Sequence, residues 1–465
     1  MITQVKDLPL VLCGPILRRV TKDSATVMVV LKEAREVVLE VYGGEHDQEI
    51  LARAVQPTSP LGEHLYYALV TARFEPGAVV PGEAYLYDLR FNTGGAAVQT
   101  LLSDGVLVPG AASGATLLEL LLYHEQKRPS LIIPPDEPER LCVLHGSCRK
   151  PHGHGPDALA LADEELSQGI PERASQPLKG ARPHMLLLTG DQIYADDVHP
   201  ALLWGIHRAM QALLGRERFE QAQVGLPKPG ADRTPFIKNL AELSSGHAKH
   251  HLISWPEFCG MYLLAWSPAL WGFVIQHPDL KGFRDALPKV RRALAHVPTY
   301  MIFDDHDITD DWFISEAWTR RALASAQGRR ILRNGLAAYL LFQHAGNAPD
   351  ELAPGTVGHE ALALTLAHQD ASPSPSEPTP LDKLLGLVKS GQPLTTGEPG
   401  VDRVDWHWSL STDRWEVVAL DTRMRRVFKQ GRASLASSGD LERWLPAVST
   451  PKLTLLLSAA PVLGL

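Results

Sequence analysis

Five short apolar runs, each ending abruptly in reactive polar residues, constrain this chain most. They are "LCVLHGSCRK", "MLLLTGDQIYADD", "VPTYMIFDDHDITDDW", "WEVVALDTRMRR" and "KLTLLLSAAPVLGL". Their tails carry in turn His145, Cys148, Arg149 and Lys150; Asp191 and Tyr194; Asp304, Asp305, His306, Asp307, Asp310 and Asp311; Asp421 and Arg423; and Ser458. Long helical stretches separate the runs, and that alternation predicts an α/β arrangement from about residue 139 onward. In α/β sheets ligands gather beyond the carboxyl ends of the strands. Strands pointing the same way would bring these tails to one site.

So many carboxylates in one place repel unless something neutralises them. Two metal ions held by aspartates from several loops would do so, one carboxylate bridging both. Metal charge also favours an ionised thiol or phenol, which makes Cys148 and Tyr194 reasonable anionic ligands. Thiolate and phenolate suit a transition metal such as Fe3+; carboxylates suit Ca2+, Mg2+ or Mn2+. Several of these residues have plainer readings that the sequence leaves open. Cys148 could be a small buried apolar side chain. Asp196 and Asp197 could start the next helix, and Asp421 and Arg423 could form a structural ion pair. His152 and His154 in "PHGHG" read as a glycine turn, and Glu257 and Cys259 as structural. Ser147 and Ser458 lack the G-x-S-x-G elbow of a serine hydrolase. The run "DDHDITDD" resists every plain reading best.

Before these runs, "GPILRRVTKDSATVMVVLKEAREVVLEVYGG", "HLYYALVTARF" and "EAYLYDLRFNTG" show short β-branched segments between charged turns. They predict a small β-sandwich over residues 1–115. A helix over "TLLELLLYHEQKR" and the Pro-rich "PSLIIPPDEP" mark the boundary. Residues 198–296 read as a helical, Trp-rich insertion. A long helix is expected between Trp312 and about Gly346, and residues 347–400, with "ASPSPSEPTP" and "SGQPLTTGEPG", read as a flexible surface loop. The 465 residues are 45% hydrophobic with a formal net charge of −8 and no long basic run. Neither nucleic-acid nor anionic-membrane binding is favoured. Four dispersed cysteines give no disulfide scaffold or zinc ribbon. No basic leader with an apolar core opens the sequence and no apolar run is long enough to span a bilayer, so a cytoplasmic location is expected.

Taken in order, "HGSCRK", "GDQIYADD", "DDHDITDDW" and "LDTRMRR" resemble the PhoD-like alkaline phosphatases and phosphodiesterases of the calcineurin-like metallophosphoesterase superfamily. The segment "GPILRRVTKDSATVMV" resembles the immunoglobulin-like domain that precedes such catalytic domains. The resemblance implies an immunoglobulin-like all-β domain over 1–115, then a metallophosphoesterase-type αββα sandwich over 139–465 acting on phosphate mono- or diesters. It implies Cys148, Asp191 and Tyr194 as ligands of a ferric-type ion, and Asp191 as the bridge to a second ion, Ca2+, Mn2+ or Mg2+, held by Asp305 and Asp310. The family often has Asn where Asp310 stands. His306 is implied as acid or hydrogen-bond donor at the phosphate, with Arg149 and Arg423 holding its oxygens. The family also carries a Gly-Asp-x-His-type motif near its C-terminus, and none follows "TLLLSAAPVLGL". The expectation is a C-terminally truncated enzyme, completed beyond Leu465 or by a fragment in trans. The alternative is a non-catalytic relative that serves as a binding module.

Overall fold

A computed structural model describes residues 4–43, 49–94, 98–108, 120–124, 126–170, 182–367, 377–387, 403–429, 432–445 and 452–461. The chain is mixed α/β and divides into two units. The first holds residues 1–187, 208–216 and 263–300; the second holds 188–207, 217–262 and 301–465.

The β-branched segments of the first unit form two antiparallel sheets. β1 (Val11–Val20), β2 (Ser24–Leu31), β6 (Leu65–Arg73) and β5 (Ser59–Gly62) pair in that order. The other sheet runs β4 (Glu49–Pro57), β3 (Glu36–Gly43), β7 (Ala84–Asn92) and β8 (Gln99–Thr100), with β9 (Ser130–Ile132) also paired to β7. Alternate residues from both sheets, among them Val27, Val29, Leu39, Val41, Val70 and Leu89, enter one buried core. Two-residue periodicity is what allows a strand to supply one face to such a core. The expected boundary helix lies largely on residues outside those described; of its C-terminal part, residues 121–124 and 126–128 contain no helix. The sheet also continues past residue 115 through β9.

Helices α1 (Leu161–Gly169) and α5 (Pro278–His296) complete this unit. Arg292 of α5 grips Asp163 of α1 through two hydrogen bonds of 2.7 and 2.6 Å. Arg291 is buried and donates to the carbonyl of Gly14 at 2.9 Å. Residues 198–296 are largely helical, with α2 (Pro200–Leu214), α3 (Arg216–Ala222), α4 (Trp255–Trp266) and α5.

All five apolar runs are strands. β10 (Val143–Gly146), β11 (Met185–Thr189) and β12 (Thr299–Ile302) form one three-stranded sheet. β14 (Trp415–Leu420) and β17 (Leu453–Ser458) lie parallel in another, with β13 (Trp408–Ser411) antiparallel on the far edge of β14. β15 (Val427–Lys429) and β16 (Arg432–Ser434) make a short hairpin.

The long helix expected after Trp312 is broken. α6 (Glu316–Ala324) ends at Ser325, whose hydroxyl caps α7 (Ala326–Tyr339) by accepting the Gly328 N–H at 3.0 Å. A π-helical turn, Leu340–His344, extends α7. Part of the expected loop over 347–400 is also helical: α8 (Val357–Leu366), capped by Thr356, and α9 (Pro380–Leu384), opened by a Thr379–Asp382 capping box. The segment "VGHEALALTL" is rich in Ala and Leu, which favour helix over coil. Its Pro- and Gly-rich neighbours fall outside the described residues. α10 (Ser438–Trp444) precedes β17.

Candidate metal centre

The acidic loops after β11 and β12 meet in the second unit. Gly190 has a φ of +95°, and a Cβ there would lie 2.4 Å from the Cβ of Asp304. Only glycine permits that approach. Asp191 follows with a φ of +54°, an uncommon left-handed conformation for a residue with a side chain. Its backbone N–H donates to Asp307 Oδ2 at 2.7 Å.

Asp307 organises the junction. Fully buried, it also accepts the backbone N–H groups of Gln192 (3.1 Å), Ile193 (3.4 Å) and Asp304 (3.0 Å). The Ala195 N–H donates to the carbonyl of His306 at 2.7 Å, a second tie between the loops. After Asp305 the chain turns helically, since the N–H groups of Ile308 and Thr309 both donate to its carbonyl. That turn points Asp307 inward.

One ligand atom each from Asp191, Asp305 and His306 lies within 4.8 Å of the others. His306 Nδ1 is 2.8 Å from Asp196 Oδ1, and its ring stacks on Tyr194 with centroids 4.5 Å apart. Asp196 is buried and also accepts from Ser245 Oγ at 2.9 Å. It therefore does not serve as a helix-start acid, one of the two readings its sequence position allowed.

The Asp191 and Asp307 carboxyls of this cluster are held against ionisation. Burial, and then the charges of Asp307 and Asp304, push Asp191 up to about 8. Burial pushes Asp307 up to about 7 against the pull of its backbone donors. Burial disfavours the charged form of His306, but the bond to Asp196 and the charges of Asp196, Asp191 and Asp305 outweigh it and hold the imidazole at about 9. Carboxyls this close and this buried resist ionising together; the protonated His306 and the Arg423 guanidinium offset part of their charge, and a bound cation would take the place of the His306 proton. Two carboxylates and an imidazole form a donor set that hard or borderline divalent ions accept.

Among solved structures, that of PhoD is similar over 90% of this chain and 53% of its own, at 12% sequence identity and a TM-score of 0.37. The chain spans about half the length of that structure. No family model and no curated protein matches it. The chemistry therefore rests on the residues.

The remaining expected residues are placed as follows. Arg423 Nε and Nη2 contact Asp304 Oδ1 at 2.6 and 2.5 Å, and Nη2 also lies 3.1 Å from Asp305 Oδ2. Its carboxylate partners are thus the β12 loop acids. Asp421 instead accepts the backbone N–H groups of Arg423 and Met424. Asp310 is half-buried outside the triad, with Oδ2 3.4 Å from the Gly246 N–H. Cys148 and Arg149 belong to the first unit. Cys148 is exposed with a φ of +57°, so it is not a buried apolar side chain. Arg149 is buried and paired with Asp157 at 2.6 Å. Glu257 is structural as expected: fully buried, it binds Arg233, His207 and the N–H groups of Ile253 and Ser254. The sequence singled out neither Asp307 nor Asp196 as an organiser. One signal for the packing around Asp307 was present, the amide of Gln343 in the largely apolar "NGLAAYLLFQHAGN".

Proposed function

We propose that this chain is a metal-dependent hydrolase of phosphate mono- or diesters, of the PhoD-like kind. The observation that carries the reading is the convergence of Asp191, Asp305 and His306. A cation bound there would supply Lewis acidity toward a phosphoryl oxygen. Asp191 and Asp305 would hold it, with Tyr194 beside them against the His306 ring. Asp196 occupies His306 Nδ1, fixes the ring and leaves Nε2 as the nitrogen for substrate or cation, an arrangement that raises the basicity of a ligand imidazole. Where Nε2 faces substrate, it would donate a hydrogen bond or a proton to a phosphoester oxygen. Arg423 offsets part of the charge on Asp304 and Asp305, which limits how much cation charge the loops require. An immunoglobulin-like domain ahead of an αββα core belongs to the same proposal, and the shared core of the first two sheets supports its first half.

The test is metal analysis of the purified protein together with hydrolysis of an aryl phosphate in the presence of Fe3+, Ca2+ or Mn2+. Metal-dependent turnover that a chelator abolishes and Asp191→Asn lowers about 100-fold or more is the expected result. Metal-free protein and a rate indifferent to Asp191→Asn would overturn the reading in favour of a non-catalytic binding role.

A further inference from the structure

Gln343 stands outside the acidic loops and takes no part in the chemistry above. It is fully buried in the π-helical turn Leu340–His344. Its Nε2 donates to Asp307 Oδ1 at 3.1 Å and to the Tyr262 hydroxyl oxygen at 3.0 Å. Asp307 gathers the N–H groups of Asp191, Gln192, Ile193 and Asp304, so one carboxylate joins the two acidic loops and one amide helps to hold that carboxylate. We infer that Gln343 is a positioning residue for the Asp191–Asp305–His306 cation site, acting through Asp307; the inference rests on the metal-site reading above.

The residue type suits the task. A guanidinium or ammonium at this position would neutralise Asp307 and draw it away from four backbone donors. A carboxylate would repel it. An amide donates without adding charge, and its second N–H finds the Tyr262 oxygen, which pins the group at both ends. Asn347, four residues on, reads the strand from which the second loop departs. Its Oδ1 accepts the Met301 N–H at 2.9 Å and its Nδ2 donates to the Met301 carbonyl at 2.6 Å. Residues four apart share a helix face. The same surface therefore fixes both the end of β12 and the loop beyond it. π-helical turns occur often at functional sites, and this one carries the amide.

The experiment measures Mn2+ affinity by isothermal titration for the full chain, for Gln343→Met and for Tyr262→Phe, with metal-free melting temperatures recorded alongside. Gln343→Met keeps the volume and removes both donors. Its Mn2+ affinity is expected to fall about 10- to 100-fold, the range typical when the support of a metal ligand is lost. A purely structural role would lower the melting temperature and leave the affinity of the folded protein alone. Affinity within about two-fold of the unaltered chain would overturn the inference while the site reading stood. Where the unaltered chain binds Ca2+ or Fe3+ in place of Mn2+, the titrations use that ion; binding of none of the three would overturn the site reading itself, and the inference with it. Should Gln343→Met fail to fold, Tyr262→Phe removes one hydroxyl on the far side of the amide. A loss of about three-fold or more is then expected, and no change would overturn the inference.

Discussion

Gly190 and Asp191 occupy backbone conformations that side chains resist, and the candidate metal centre depends on both. Gly190→Ala would drive a methyl group into Asp304 and impose left-handed strain. A loss of about 2 kcal/mol or more in a urea unfolding experiment is expected, because strain alone costs roughly 1–3 kcal/mol. Asp196→Asn keeps the shape but removes the charge facing His306 Nδ1. The proposed phosphoester hydrolysis should fall about 10- to 100-fold with little change in melting temperature, read from paired kinetic and thermal measurements. At this scale the sequence was half legible. "DDHDITDD" announced a site, but eight consecutive residues do not reveal which carboxylate turns inward. The helical turn after Asp305 makes that choice, selecting Asp307 and leaving Asp310 half-buried. Asp196 and Asp197 looked equivalent for the same reason.

Strands were the most legible elements. All five apolar runs are strands; β11, β12 and β14 are buried throughout, as an apolar run in a covered sheet should be, whereas β10 and β17 lie at sheet edges and stay partly exposed. Helix boundaries were less legible. The break at Ser325 depends on a hydroxyl that caps the next helix, and α8 was hidden among Pro-rich flanks. Gln343 was out of reach because its partners, Asp307 and Tyr262, are distant in sequence. One element contact is testable without any enzymology. Glu257, near the start of α4, is the buried partner of Arg233 and His207, and the Arg233 and His207 charges hold its carboxyl well below the usual range despite full burial. Glu257→Ala leaves the Arg233 guanidinium buried without that carboxylate. Breaking a buried pair from one side costs about 3–5 kcal/mol, and chemical denaturation would register a loss of that order.

Over the whole molecule, acid should act in part through two buried histidines of the first unit. His296 is fully buried and accepts the Ser130 N–H on Nδ1 at 3.2 Å. Burial, then the charge of Arg182, pulls its imidazole down to about 3. His184 accepts the Cys142 N–H at 2.9 Å, and burial with Arg182 pulls it down to about 4. An unfolded histidine titrates near 6.5. Between that value and the folded ones, the unfolded chain binds more protons than the native one. The stability these two histidines contribute is therefore full above about pH 6.5 and declines as the pH falls toward 4 and 3. Urea unfolding followed by circular dichroism at pH 7, 5 and 4 should show the gap in midpoint between the unaltered chain and His296→Gln shift steadily in the variant's favour as the pH falls. The division of the chain carries a further consequence, for synthesis. The polypeptide passes between its two units at Leu187–Leu188, His207–Arg208, Arg216–Glu217, Tyr262–Leu263 and Tyr300–Met301. A ribosome delivers Asp191 and its loop well before Asp307, which must collect them. At roughly 5–20 residues per second that loop waits on the order of ten seconds for its carboxylate. During that interval the nascent chain exposes an acidic loop with no clamp, which a chaperone or a free cation can meet first.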